Sequence, residues 1–380
     1  MKIGIDCRLY SSNFTGIGRY VHEIVDWFVK INNENKRENE LVLFFNKPEY
    51  NDFIPPNLSV KKVLVNARHY SLAEQTKFLK ILNKENCDIV HFPHFNVPIL
   101  YKKPYVVTIH DLTLSFFPGQ KMTKWFHRLA YNWTIKNAVK KAKKVVAVSE
   151  NTKADIVENL KVPEAKIKVI HNGVSKFFQM LDDPKEAGST LKKYGINKQF
   201  LLYTGVWRNH KNLPNLIKAF EIIKSRKEID LQLVITGKED PHYPEVRKEI
   251  KKSEFNEDVI TPGLVKEEEL LHLYNAALLY VFPSLYEGFG LPPLESMKCG
   301  TPVVASNTSC IPEVCGEKNA VFFDPYYPQK IADKIEHLYK DADLQAELVE
   351  RGYQHANKFT WERSARTTYN ILCSNHSNNS

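Results

Sequence analysis

The sequence predicts an α/β protein made of two doubly wound, Rossmann-like domains. Three observations lead there. Short apolar runs alternate with helical patterns along almost the whole chain. The alternation is interrupted once, near the middle, by a polar stretch, and then resumes. A length of 380 residues suits two domains, each with its own core. Hydrophobic content of 43% and charged content of 26% are those of a globular chain. The architecture repeats without any internal sequence repeat.

In the first half, strands are expected at Ile3–Cys7, Leu41–Phe45, Lys61–Val65, Asp88–Phe92, Tyr105–His110, Lys144–Ser149 and Lys166–His171, because each is a short apolar run. After the first strand comes a loop, Ser11 to Thr15, then Gly16-Ile17-Gly18-Arg19-Tyr20. Ile17, Tyr20, Val21, Ile24, Phe28 and Ile31 recur at helical spacing, so a helix begins at the glycines. Gly16 and Gly18 there either make a tight strand–helix turn or let a phosphate or sugar approach the backbone. The segment lacks a full G-x-G-x-x-G and its acidic companion, which argues against a dinucleotide site. Ligands of parallel sheets bind outside the carboxyl ends of the strands. His110 and Asp111 occupy such an end, as do the HFPHFN segment and Ser149-Glu150.

Lys121 to Lys144 combines Trp125, Phe126, Leu129, Trp133, Ile135, Ala138 and Val139 with Arg128 and seven lysines. It reads as an amphipathic crossover helix with one broad apolar face. The same composition suits an anionic membrane surface. Domain boundaries are expected at 1–178 and 199–359, with 179–198 as the connection, and the helix at 360–375 packing back onto the first domain.

The second half repeats the pattern, with strands at Phe200–Gly205, Leu231–Gly237, Val259-Ile260, Ala277–Phe282, Pro302–Ala305 and Ala320–Phe323, and helices filling the tail. The loop WRNHKN carries Arg208 and Lys211 just past a strand end. Fixed cations there suit a diphosphate that gains charge as it departs. The most telling stretch is VFPSLYEGFGLPPLESMKCGT: strand, glycine-bearing turn from Pro283 to Gly290, then a helix opened by Pro292. Glu287 falls in the turn and Glu295 in the expected first helical turn. The backbone N–H groups of Gly288, Phe289, Gly290 and Leu291 suit an anion. Two carboxylates also allow a paired-carboxylate hydrolase, but the phosphate-suited turn between them favours a nucleotide-sugar site.

The string E-G-F-G-L-P-x-L-E after F-P-S resembles the retaining, nucleotide-sugar-dependent glycosyltransferases of family 4, which have the GT-B fold of two Rossmann-like domains facing a central cleft. "GIGRY", "TIHDL", "VIHNGV" and "YTGVWRNHKN" extend the resemblance over nearly the whole chain. It implies that His110 contacts the transferred sugar, that Arg208 and Lys211 hold the donor diphosphate, and that Glu287 and Glu295 bind donor-sugar and ribose hydroxyls. It also implies that Gly16 and Gly18 lie near the donor phosphates and the acceptor, and that backbone near Val265 meets the base. No protein nucleophile and no metal cofactor are required by this mechanism. The combination looks most like mannosyltransferases of bacterial surface-polysaccharide assembly. GDP-mannose is therefore the expected donor, with UDP- or dTDP-sugars as alternatives, and a glycan or lipid-linked oligosaccharide the expected acceptor.

The formal net charge of +9 fits an anionic substrate, an anionic membrane or nucleic acid, but no nucleic-acid module signature accompanies it. A sugar-nucleotide epimerase or phosphorylase on the same fold is the remaining enzyme alternative. The six cysteines form no C-x-x-C pair, the N-terminus has no apolar leader pattern, and no run spans a membrane. The expected location is the cytoplasm, peripheral to the inner face of the plasma membrane.

Overall fold

The computed structural model describes residues 1–10, 16–36, 38–119 and 125–374, apart from the side chain at 126. Ser11 to Thr15, in the expected first loop, and Lys121 to Lys124, at the expected start of the aromatic helix, lie outside them. The chain forms two compact units. Unit 1 comprises Met1–Leu112, Lys121–Gly173 and Thr360 onward; unit 2 comprises Thr113–Gln120 and Val174–Phe359.

The first half of the chain contributes strands β1 (Lys2–Asp6), β2 (Glu40–Phe45), β3 (Val60–Leu64), β4 (Ile89–Phe92), β5 (Tyr105–Ile109), β6 (Lys144–Ala147) and β7 (Ile167–Val169). Its helices are α1 (Ile17–Glu34), α2 (Glu49–Asp52), α3 (Leu79–Glu85), α4 (Thr113–Phe116), α5 (Trp125–Lys141) and α6 (Glu150–Leu160). The seven strands form one parallel sheet in the order β3-β2-β1-β4-β5-β6-β7. β4 and β5 are buried throughout, and β1, β2 and β6 are buried but for their first residue, which is why they read as unbroken apolar runs rather than as alternation.

The second half adds α7 (Gly188–Tyr194), β8 (Phe200–Thr204), α8 (Leu213–Ser225), β9 (Gln232–Thr236), α9 (Glu245–Lys252), β10 (Val259–Gly263), α10 (Glu267–Ala276), β11 (Leu279–Phe282), α11 (Leu291–Lys298), β12 (Val303–Ser306), α12 (Ile311–Cys315), β13 (Val321–Phe323), α13 (Pro328–Lys340), α14 (Ala342–Ala356) and α15 (Trp361–Ser374). Its six strands form a parallel sheet in the order β10-β9-β8-β11-β12-β13. The stretch expected as a connection, 179–198, holds a short 3-10 turn at Pro184–Ala187 and α7, and the chain crosses between units at Gly173–Val174.

Two chain segments belong to the unit that sequence order would not suggest. α15 lies in unit 1, where Trp361, Ala365, Tyr369 and Leu372 are buried. Tyr369 donates to Asn32 Oδ1 at 3.0 Å and receives Asn39 Nδ2 at 2.7 Å. Gly173 permits this docking: a Cβ on it would come within 2.1 Å of the Trp361 backbone nitrogen. α4 lies in unit 2, where Phe116 packs on Tyr286 at 5.1 Å and Phe117 meets His210 at 6.0 Å.

The aromatic helix α5 departs from the expected single apolar face. Ile135, Ala138 and Val139 are buried with Tyr131 and Ala142, whereas Trp125, Leu129 and Trp133 are exposed. At 3.6 residues per turn these two sets point in different directions, so the helix has an inner and an outer apolar stripe. All six cysteines are free, and five are buried.

Candidate active site

In both sheets the strand order reverses once, between β1 and β4 in unit 1 and between β8 and β11 in unit 2. The crevice outside the carboxyl ends of strands at such a reversal is where open parallel sheets bind ligands. In unit 2 the two flanking loops are WRNHKN, after β8, and Pro283–Gly290, after β11.

The β8 loop is anchored from beneath. Trp207 is buried, its backbone N–H donates to the Lys238 carbonyl at 3.0 Å, and the Arg247 guanidinium stacks on its ring at 4.9 Å. Arg208 is extended (φ −141°, ψ 160°) and its side chain stays 46% exposed, with Nε 3.7 Å from Asp240. A 3-10 turn, Asn209–Lys211, then leads to Asn212 in the left-handed region, whose side chain donates to the Pro325 carbonyl at 2.7 Å. This turn points Lys211 across the sheet edge. Its Nζ sits 2.5 Å from Glu287 Oε1 in a largely buried ion pair.

The β11 loop is pinned to match. The Leu285 N–H donates to the His210 carbonyl at 2.7 Å, tying the two loops together. Ser309 clamps Glu287 through one hydroxyl, which accepts the Glu287 N–H at 3.2 Å and donates to its carbonyl at 2.7 Å. Cys310 Sγ adds contacts to the Glu287 and Phe289 carbonyls, each at 3.2 Å. Gly290 closes the turn at φ 85°, a conformation that side-chain-bearing residues seldom adopt. α11 begins at Leu291, one residue before the expected Pro292 start. Pro292 and Pro293 follow in its first turn and have no N–H. The anion-suited donors at this helix end are therefore those of Gly288 to Leu291.

Glu295 consequently falls in the second turn of α11 rather than the first. It is buried, and its Oε2 accepts the Tyr274 hydroxyl at 3.0 Å. Tyr274 in turn meets Thr204 Oγ1 at 3.0 Å, and Thr204 meets Tyr280 at 3.1 Å. Burial, with the Glu295 charge nearby, holds the hydroxyls of Tyr274 and Tyr280 protonated well past their ordinary range. The carboxylate thus ends a chain of hydroxyls rooted in β8 and β11. Val265 lies just before α10, beyond the end of β10. That strand is two positions from β8, about 10 Å across the sheet.

Unit 1 carries Gly16, Gly18 and His110. Gly16 has φ 38° at the start of α1, and Gly18 is buried within that helix. His110 follows β5, and its Nε2 bonds the Pro93 carbonyl at 2.8 Å. A carbonyl can only accept, so Nε2 carries the proton and, in the neutral ring, Nδ1 is left as an acceptor. Burial lowers the His110 pKa and favours that neutral ring. Tyr20 stands edge-on to it at 4.7 Å and bonds Thr108, which also meets His91 Nε2 at 2.9 Å. Beside this group, Arg8 is buried in a fork to Asp6 (both contacts 2.8 Å) and reaches Glu74 at 2.8 Å and the Asn96 carbonyl at 3.2 Å. The Phe78 ring lies 4.0 Å beneath the guanidinium.

Sequence reasoning missed Ser309, Cys310, Tyr274, the Phe116–Phe117 segment and the Asp6–Arg8–Glu74 cluster. Only the last left a trace: an Asp and an Arg two apart at the end of the first strand. Among the described residues no group of three or more His, Cys, Asp or Glu is arranged to hold a metal ion.

Comparison with known proteins matches each half to a family model. Residues 14–176 match Glycosyltransferase Family 4, and residues 189–355 match Glycosyl transferases group 1. The O-antigen chain mannosyltransferase B of Escherichia coli is 28% identical over 387 residues, covering 97% of this chain and 99% of that protein. The serotype-specific mannosyltransferase WbdA of Escherichia coli is 30% identical over 228 residues, 59% of this chain and 28% of that longer one. Among solved structures, sucrose-phosphate synthase from Thermosynechococcus elongatus superposes with a TM-score of 0.80 at 18% identity, covering 99% of each chain. With both halves matched, and with an E-x7-E loop and a basic loop flanking the strand-order reversal of unit 2, this chain belongs to family 4 of the GT-B glycosyltransferases.

Proposed function

We propose that this chain is a retaining mannosyltransferase that moves mannose from GDP-mannose to a glycan or lipid-linked oligosaccharide in bacterial surface-polysaccharide synthesis, at the inner face of the plasma membrane. The observation that carries this reading is the Lys211–Glu287 pair at the unit 2 strand reversal. It joins a cation suited to a diphosphate to a carboxylate suited to sugar hydroxyls. The near full-length similarity to the Escherichia coli mannosyltransferase supports mannose as the sugar.

In this reading Lys211 and Arg208 stabilise the departing diphosphate. Both sit in a loop already fixed by Trp207 and Asn212, so little reorganisation accompanies the reaction. Glu287 accepts hydroxyls of the donor sugar, Glu295 those of the ribose, and the N–H groups of Gly288 to Leu291 hold phosphate and sugar. Backbone near Val265 meets the base. Gly16 and Gly18 lie by the donor phosphates, and His110 is a sugar-binding histidine of unit 1. The acceptor oxygen bonds to the anomeric carbon on the face from which the phosphate oxygen leaves. Its proton passes to that phosphate oxygen, which accounts for retention without a protein nucleophile. Two fixed cations serve the role a divalent metal would otherwise fill.

A thermal-shift panel of GDP, UDP, dTDP and their sugars tests the donor. A ligand that binds only the folded chain raises its melting temperature by mass action. The expected result is a rise with GDP and GDP-mannose alone. A rise only with UDP or dTDP compounds overturns the donor, and no rise with any of them overturns the unit 2 site.

A further inference from the structure

The segment at the end of β12 and after it runs beside the Glu287 turn and holds that turn by its main chain. Ser306 Oγ donates to the Phe282 carbonyl at 3.1 Å, and Thr308 Oγ1 to the Ser284 carbonyl at 3.2 Å. Ser309 Oγ adds its two contacts to Glu287, and Cys310 Sγ its contacts to Glu287 and Phe289. Burial, and then the Glu287 charge, push the Cys310 thiol up, so it stays protonated and able to donate. Of these four side chains, Ser309 alone bonds both the N–H and the C=O of one residue. That residue carries the carboxylate paired with Lys211.

The backbone of Ser309 is a second, independent observation. Its φ is 56°, in the left-handed region that glycine enters freely and side-chain-bearing residues seldom adopt. A glycine would relax the chain here but would bring no hydroxyl. Strain kept at one residue points to a use for what that residue carries. In this conformation the Ser309 hydroxyl reaches both main-chain groups of Glu287. A glutamate meets its target through several rotatable bonds, so a small rotation of its main chain is carried into the carboxylate. A sugar-binding carboxylate has to be held to within about 0.5 Å of its productive position. Lys211 holds Glu287 at its tip, and Ser309 holds it at its root.

We infer that Ser309 is a positioning residue for sugar transfer: its hydroxyl fixes the Glu287 main chain and so sets where the Glu287 carboxylate meets the donor sugar. Ser309 acts through Glu287 rather than on the donor itself. The inference rests on the proposed function for the sugar-binding role of Glu287. A hydrogen bond that merely stabilised unit 2 would behave differently. Its loss would lower folding stability and would leave the discrimination between a sugar nucleotide and its nucleoside diphosphate untouched.

The test is calorimetric titration of the full chain with GDP and with GDP-mannose, read as the ratio of the two affinities. Ser309→Gly removes the hydroxyl and suits the left-handed backbone, so the fold is kept. Ser309→Ala removes the hydroxyl and keeps the Cβ. Each is expected to weaken GDP-mannose relative to GDP by about tenfold, as for one hydrogen bond to a charged group lost. In a Glu287→Ala background, adding Ser309→Gly is expected to leave the ratio where it was, because the residue it acts through is gone. Amide exchange gives a reading without ligand: the Pro283–Leu291 turn is expected to exchange faster in Ser309→Gly, with β8 and β9 unchanged. With Glu287→Ala impaired, a parental ratio in both Ser309 variants overturns the inference alone. So does a further tenfold loss in the Glu287→Ala background, or parental exchange of the turn. A parental ratio for Glu287→Ala itself overturns the role given to Glu287 in the proposed function, and the inference with it. If UDP or dTDP compounds bind in place of GDP, the same ratios are read with them. If none binds, the unit 2 site falls and the inference falls with it.

Discussion

The two sheets end in different chemistry. At the strand reversal of unit 1 the charged groups are buried and paired: Arg8 is shared between Asp6 and Glu74, and the nearby histidines are held neutral. At the reversal of unit 2 one cation is half-exposed and the other is matched to a single carboxylate. One architecture thus presents a buried, internally paired edge in one unit and a partly exposed, charge-bearing edge in the other. The difference lies in a few residues at and just beyond the strand ends, Asp6 of β1 among them. Function in this fold is written in the loops after the strands.

The contrast can be broken at its most buried point. Arg8→Met leaves Asp6 and Glu74 without their cation in an interior that cannot solvate them. It is expected to cost about 3–5 kcal/mol, read as a lower urea midpoint in chemical unfolding. A midpoint equal to the parent's would mean that water reaches this edge and that it is not the dry one described. The unit 2 edge responds in rate instead. Lys211→Ala is expected to slow transfer by about 10²–10³-fold, and Arg208→Ala, from a half-exposed position, by only about tenfold. Equal effects in steady-state assays would remove the distinction between a paired and an open cation.

A third measurement sharpens the comparison through pH. Burial, and then the neighbouring His110, push the His91 pKa from 6.5 down to about 3. The unfolded chain therefore takes up this proton first. The stability contributed by a neutral His91 is complete above pH 6.5 and is lost as pH falls from 6.5 toward about 3, by at most about 1.4 kcal/mol per pH unit. Urea midpoints measured across that window are expected to fall more steeply for the parent than for His91→Gln. Parallel curves would show that His91 does not titrate differently in the two states.

Much of this was legible in the sequence, for identifiable reasons. Strands such as Val145–Ala147 and Tyr280–Phe282 are buried, so they appear as apolar runs that need no partner to be recognised. The Glu287 turn was legible because glycine and proline punctuate it. What escaped was set by distant pairing. Glu74 meets Arg8 across sixty-six positions, and nothing local to either residue signals it. Tyr274 meets Glu295 because β11 brings α10 and α11 together. The two opposed stripes of α5 merge into one face when its apolar residues are taken without their angular positions on the helix.

The docking of α15 has a consequence for how the protein is made. α15, which follows all of unit 2 in the chain, supplies Trp361, Ala365, Tyr369 and Leu372 to the core of unit 1. A ribosome delivers these residues only after every strand of both sheets has emerged. Unit 2 draws on nothing beyond Phe359. Unit 1 therefore cannot be completed until all of unit 2 has been made. Until then the nascent protein must shield an apolar seam along α1 that awaits the fourteen-residue α15.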